Sequence, residues 1–163
     1  LAQFKSKYGT YMAFGNHDYL DRPQLWQAML ETTNIHVLRD KDTIINNELK
    51  ITGLNDWSRV KGSEAIINLS KLNNDYYSII MDHQPRRITA AAKANYDLYL
   101  AGHTHTGQLM PNRQITKMMY ALDYGRAKFA SMEAITSNGY GFWGPPVRTE
   151  VAPEMIIINI KGK

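Results

Sequence analysis

The stretch that decides the reading is Tyr96–Gln108, YDLYLAGHTHTGQ. An apolar run passes directly into a polar loop with two histidines, His103 and His105, bracketed by Gly102 and Gly107. The run reads as a buried strand, and the histidines stand just past its carboxyl end. The pattern recurs twice: YMAF leads into Gly15-Asn16-His17-Asp18, and YYSIIM leads into Asp82-His83-Gln84-Pro85. In an open α/β sheet the carboxyl ends of the strands line the ligand crevice. His17, His83, His103 and His105 are therefore expected along one sheet edge. His36 opens a strand instead of ending one and reads as structural.

Working outward, TYMAF (10–14), IHVLR (35–39), NELKITGL (47–54), YYSIIM (76–81) and YDLYLAG (96–102) have strand character. PQLWQAMLETT after Asp21, SEAIINLSKL (63–72) with Ser63 as its cap, and PRRITAAAKAN read as helices. LAQFKSKYG at the start reads as the last turns of a helix ended by Gly9. This alternation argues α/β, a sheet covered by helices. Beyond Gly107, RAKFASMEAITSNG and PEMIIINIK read as strands and no helix of useful length is expected, so the last third is expected to be mostly β.

With 163 residues, 44% hydrophobic and 21% charged, the chain suits one globular domain with a core. Its net charge of +4 comes from scattered basic residues, with only Arg86 and Arg87 adjacent. No basic stripe interleaved with aromatics marks a nucleic-acid surface. There is no cysteine, which excludes disulfides and thiolate metal sites and leaves nitrogen and oxygen as the only metal donors. No apolar run exceeds five residues, far too short to span a bilayer.

The His-x-His spacing has a physical meaning on extended backbone, where residues two apart point to the same side. Both imidazoles then reach one site, and neutral imidazole is a good ligand for zinc, manganese, iron and nickel. A surface loop is the plainer alternative for an isolated pair. Asn16-His17 and His83 at matching strand ends weigh against it. Gly-Asn is also ordinary turn chemistry.

GNHDY, MDHQP, DLYLAGHTHTGQ, SNGYGFWGPPVR and PEMIIINI, in this order, resemble the calcineurin-like metallophosphoesterases, in particular a bacterial branch that often carries membrane segments ahead of the catalytic domain. The resemblance covers most of the chain. It implies a four-layer α-β-β-α sandwich with mixed sheets. It also implies hydrolysis of a phosphate ester, diester or monoester, at two divalent ions (Mn, Fe, Zn or Ni) about 3.5–4 Å apart. Carried over by position, Asn16, His83 and His103 would hold one ion and His105 the other. His17 would protonate the leaving oxygen or steady the transition state, with Asp18 orienting its ring. Asn16 fits as a neutral oxygen donor that adds no charge where an anion must bind.

Two motifs of that family are absent: no Asp is followed two positions on by His, and none of the 11 glycines is followed by Asp. Residues 1–163 therefore resemble the C-terminal part of a single phosphoesterase domain. By itself the chain is expected to be inactive or nearly so, with its ions only partly held. Its expected partners are the phosphate-ester substrate and either the missing N-terminal half or another copy, through exposed sheet edges. The chain itself reads as soluble, and the resemblance implies a membrane-attached bacterial parent. Two alternatives stay open: a non-catalytic metal-binding or interaction remnant, and a mononuclear zinc hydrolase using His83, His103 and His105.

GYGFWGPPVR has two readings. In one it walls the site, with Trp143 or Phe142 packing on substrate and Arg148 meeting phosphate. In the other it is a tight aromatic turn. Met110, Met118 and Met119 are expected to be ordinary packing.

Overall fold

The computed structural model describes residues 6–60, 75–149 and 151–161. Strands β1 (Thr10–Ala13) and β2 (Ile35–Leu38) flank helix α1 (Pro23–Glu31) and pair in parallel, Thr10 opposite Ile35 and Ala13 opposite Leu38. A second sheet takes β3 (Lys41–Ile45), β4 (Leu49–Gly53), β5 (Tyr77–Met81), β6 (Leu98–Ala101), β7 (Gly125–Phe129) and β8 (Met132–Thr136). Their order is β3-β4-β5-β6-β8-β7. The inner four run parallel, and β3 and β7 close the edges as antiparallel partners of β4 and β8. Helix α2 (Ile88–Lys93) connects β5 to β6, and α3 (Asn112–Met119) follows β6. This is the mixed α/β arrangement, with a mixed sheet, that the resemblance implied.

The strands form where the sequence alternates or runs apolar. Ile80, Tyr99 and Ala134 fall side by side on one face, and helix α2 covers them through Ile88 and Ala91. Phe14, Leu30, Ile35 and Val37 make a second small core between α1 and the two-stranded sheet. Where β2 meets β4 the backbones nearly touch: a Cβ on Gly53 would lie 2.3 Å from the Leu38 Cβ. The side chain of Asp40 reinforces the join by accepting from the Asn55 backbone N–H at 2.9 Å.

Four expectations change. Strand β3 was not read from KDTII, although Asn46 and Asn47, with φ of 51° and 55°, form the hairpin turn that this dipeptide favours. Helix α3 occupies NRQITKMM, where no helix was expected, because its apolar residues face outward and hide the usual core-facing stripe. PEMIIINIK forms no strand: residues 151–161 carry no ladder despite their β-branched composition. At the start, residues 6–9 form bends and no helix, and the rest of that segment lies outside the described residues, as does the helix read over 63–72.

Among the described residues, the sheet carries a buried ion pair. Asp82, the first residue after β5, takes a bidentate contact from Arg87: Nη2 to Oδ1 at 2.6 Å and Nε to Oδ2 at 2.9 Å. Both side chains are almost wholly out of water, at 0% and 1% exposure. Burial pushes the Asp82 carboxyl up, against the opposing pull of the Arg87 guanidinium and the Tyr99 hydroxyl. That hydroxyl donates to Oδ2 at 2.6 Å from β6, and Arg87 Nη2 also donates to the Asn55 carbonyl just past β4, at 2.6 Å. The pair thus joins the ends of three parallel strands. Removing one partner strands a buried charge, so Arg87→Met should cost about 3–5 kcal/mol in urea unfolding. The double change Arg87→Met with Asp82→Leu should recover most of that loss. A single variant as stable as the parent would remove the pair from this role.

Candidate metal centre

Three loops at the carboxyl ends of β1, β5 and β6 meet above the ion pair. The first is the turn Asn16–Tyr19 after β1. The Asp18 carboxylate accepts the Gly15 N–H at 2.7 Å and closes this turn, so the oxygen expected to orient His17 is engaged with backbone. Tyr19 ties the turn to the large sheet through its hydroxyl, which donates to Asn55 Oδ1 at 2.6 Å. The second loop holds His83, between buried Asp82 and buried Gln84. A Cβ on Gly15 would sit 2.6 Å from the His83 Cε1, so only glycine lets this ring lie against the first turn.

The third loop departs from the geometry expected of it. His103 and His105 do not lie on extended backbone. Their φ values are 71° and 48°, with Thr106 at 54° and Gln108 at 57°, and residues 105–107 form a 3-10 turn. The strand stops at Ala101, and its ladder gives way to a coiled loop in left-handed backbone. Such backbone costs on the order of 1 kcal/mol per non-glycine residue and persists only where surroundings impose it. Here Thr104 donates to the Asp123 carbonyl at 2.7 Å and accepts the Thr106 N–H at 3.2 Å. The two rings consequently part company.

His83 Nε2 lies 3.0 Å from Asn16 Oδ1 and 3.1 Å from His103 Nδ1. His105 turns elsewhere, with Nδ1 3.3 Å from Arg148 Nη2. His17 is exposed at the mouth and lines the same cavity, of about 380 Å³, as Asn16, His83, His103, His105 and Trp143. His36 is remote from it and rests on the Tyr11 ring at 5.4 Å.

The aromatic segment is fastened over this cavity by residues that sequence reading did not single out. Buried Gln108 donates to the carbonyls of Trp143 and Pro145, at 2.6 and 3.1 Å, and accepts the Trp143 N–H at 2.6 Å. Arg148, for which contact with phosphate was one of two readings, gives Nη2 to backbone, donating to the Asn138 carbonyl at 2.9 Å and to the Gly141 carbonyl. Asp56 was also missed. It is buried and receives both contacts of Gln84 Nε2, each 3.0 Å, together with the Ser58 N–H at 2.9 Å. Burial pushes its carboxyl up, and these hydrogen bonds outweigh that and hold it below the ordinary value. Asp56 thereby secures the residue next to His83. The signal was weak in sequence, since no spacing links Asp56 to Gln84.

The donor set fits a cation in part. Asn16 Oδ1, His83 Nε2 and His103 Nδ1 are electron-pair donors facing one another, and no more than one proton can lie between any two of them. Burial lowers the His83 pKa and, with the neighbouring His83 ring, takes His103 to about 4, so both rings are neutral, the form that binds metals. The second half does not fit. His105 is lowered by burial and by Arg148. If its Nδ1 accepts from that guanidinium, its proton sits on Nε2 and neither nitrogen offers a lone pair. Among the described residues, no three His, Asp or Glu side chains gather so as to hold an ion. The assembled trio depends on an amide.

Comparison with known proteins agrees with the geometry. An uncharacterised metallophosphoesterase of Campylobacter jejuni is 31% identical over 169 residues, which take in all of this chain and 45% of the relative. One from Aquifex aeolicus is 33% identical over 171 residues, all of this chain and 65% of the relative. The chain is similar to metallophosphoesterases along its whole length. A transmembrane protein with a metallophosphoesterase domain from Bos taurus is 28% identical over 91% of the chain, which spans 38% of that protein. This chain thus covers only part of the length of these relatives. No protein-family model matches it, and no solved structure does. The relatives' names support phosphoester hydrolysis at the level of the family.

Gly15→Ala tests the trio. The added methyl should push the His83 ring off Asn16 and lower retained metal about 10- to 100-fold, with circular dichroism unchanged. Unaltered metal affinity would mean that His83 does not bind where Gly15 places it.

Proposed function

We propose that this chain supplies one metal's ligands and the proton donor of a dinuclear metallophosphoesterase, whose remaining carboxylate ligands lie outside it. The observation that carries this is the convergence of Asn16, His83 and His103 from three strand ends into one cavity. Divalent ions, manganese, iron, zinc or nickel, would supply Lewis-acid polarisation of the phosphoryl group and a hydroxide-like nucleophile at neutral pH. Asn16 binds without adding negative charge beside an anionic ester. His17, exposed at the mouth, gives its proton to the leaving oxygen. Trp143 and the loop fastened by Gln108 wall one side of the cavity.

A second reading is a non-catalytic metal-binding remnant. The Arg148 guanidinium beside His105 favours it, because a cation stands where a second ion would need a ligand.

The deciding measurement is metal content after incubation with manganese and desalting. About one ion per chain should remain. His83→Ala and His103→Ala should release it, and His105→Ala should leave it nearly unchanged. In a longer protein that includes the upstream carboxylates, His17→Ala should lower kcat on a nitrophenyl phosphodiester by about 10²- to 10⁴-fold with metal content intact. Retained metal with no activity in that longer protein would select the remnant.

A further inference from the structure

Helix α3 is inside out. Its buried side is polar and partnered: Thr116 donates to the Arg113 carbonyl at 3.1 Å and to Asp123 Oδ2 at 3.0 Å. Its apolar residues face water, with Ile115 55%, Met118 88% and Met119 52% exposed, and Met110 ahead of it is exposed as well. The methionines expected to be ordinary packing are thus exposed. Across the mouth, the segment fastened by Gln108 exposes Tyr140, Phe142, Trp143 and Val147. Ile115 and Trp143 also line the histidine cavity, so the outer apolar rim continues down its walls. Large exposed apolar side chains gathered around one cavity mark a contact surface.

The charge of helix α3 is one-sided: it carries Arg113 and Lys117 and no Asp or Glu. A short amphipathic helix with exposed Met and Ile and a basic residue between them, facing an aromatic segment, has the composition of an element that lies in a bilayer interface. A basic surface is drawn to anionic lipid headgroups.

We propose that this rim docks on an anionic lipid bilayer and presents the cavity to a phosphoester whose apolar chains stay in the membrane. The substrate class rests on the phosphoesterase reading above, whereas the docking surface rests on the rim alone. Ile44, exposed on edge strand β3, lies on neither the helix nor the aromatic segment.

The chain has no cysteine, so single cysteines replacing Met118, Phe142 or Ile44 can each carry an environment-sensitive dye. With vesicles of phosphatidylglycerol and phosphatidylcholine, the dye at 118 and 142 should shift to the blue and the dye at 44 should not. Met118→Glu with Met119→Glu should weaken partitioning at least about tenfold, and the corresponding leucine pair should preserve it. An equal shift at 44 means adsorption without a preferred face and overturns the proposal. So does a shift at 118 that grows with protein concentration in the absence of vesicles, which would put a second copy on the rim. Metal content read on the same samples separates the two claims. An unshifted dye on a chain that keeps its ion overturns the docking surface. Shifted dyes on a chain that keeps none overturn the phosphoester as its substrate and leave the docking surface standing.

Discussion

A carboxylate and a guanidinium taken wholly out of water hold the candidate centre in place. Asp82 and Arg87 are five residues apart in sequence, yet their partners come from three strands: Tyr99 from β6, the Asn55 carbonyl beyond β4, and Asp82 itself at the end of β5. Desolvating two charges is expensive, and the bidentate contact is what offsets it. The pair therefore tolerates little slippage among those strand ends. His83 follows Asp82 directly, and Asn55 receives the Tyr19 hydroxyl from the turn that carries Asn16 and His17. Through these contacts the ion pair sets the spacing between two of the three loops.

The third loop is positioned differently. Its backbone is left-handed at four non-glycine residues, and its contacts are neutral hydrogen bonds to Asp123 and to the aromatic segment. One buried amide, Gln108, meets that segment with both its donor and its acceptor. The segment's position over the cavity and the loop's conformation therefore depend on each other. The structure divides accordingly, with a stiff floor built on charge and a wall whose place follows from one side chain.

The strands that end at the centre were legible because burial on both faces writes continuous apolar runs, as in YSIIM and LYLA. The grouping of histidines followed from strand polarity alone. The orientation of those histidines was not legible. His103 and His105 were read as extended because spacing carries no information on φ, and the reversal at Gly102–Gln108 is imposed by contacts with residues 19 to 37 positions away. The place of Arg148 was left open for a related reason. An arginine beside an aromatic turn looks the same in sequence whether it faces an anion or a set of carbonyls. Helix α3 was missed because pattern reading assumes that apolar residues turn inward.

The segment Met155–Ile160 has one further consequence. It contains six residues, MIIINI, with no charge and no proline, and it lies along the sheet face of Leu98 and Ile135 without joining a ladder. High β-propensity and free backbone groups are what template cross-β stacking. The sheet edges are short hairpin strands with charged side chains, which resist lateral growth. Residues 155–160, whose apolar side chains are exposed, are therefore where fibre formation in this chain would start.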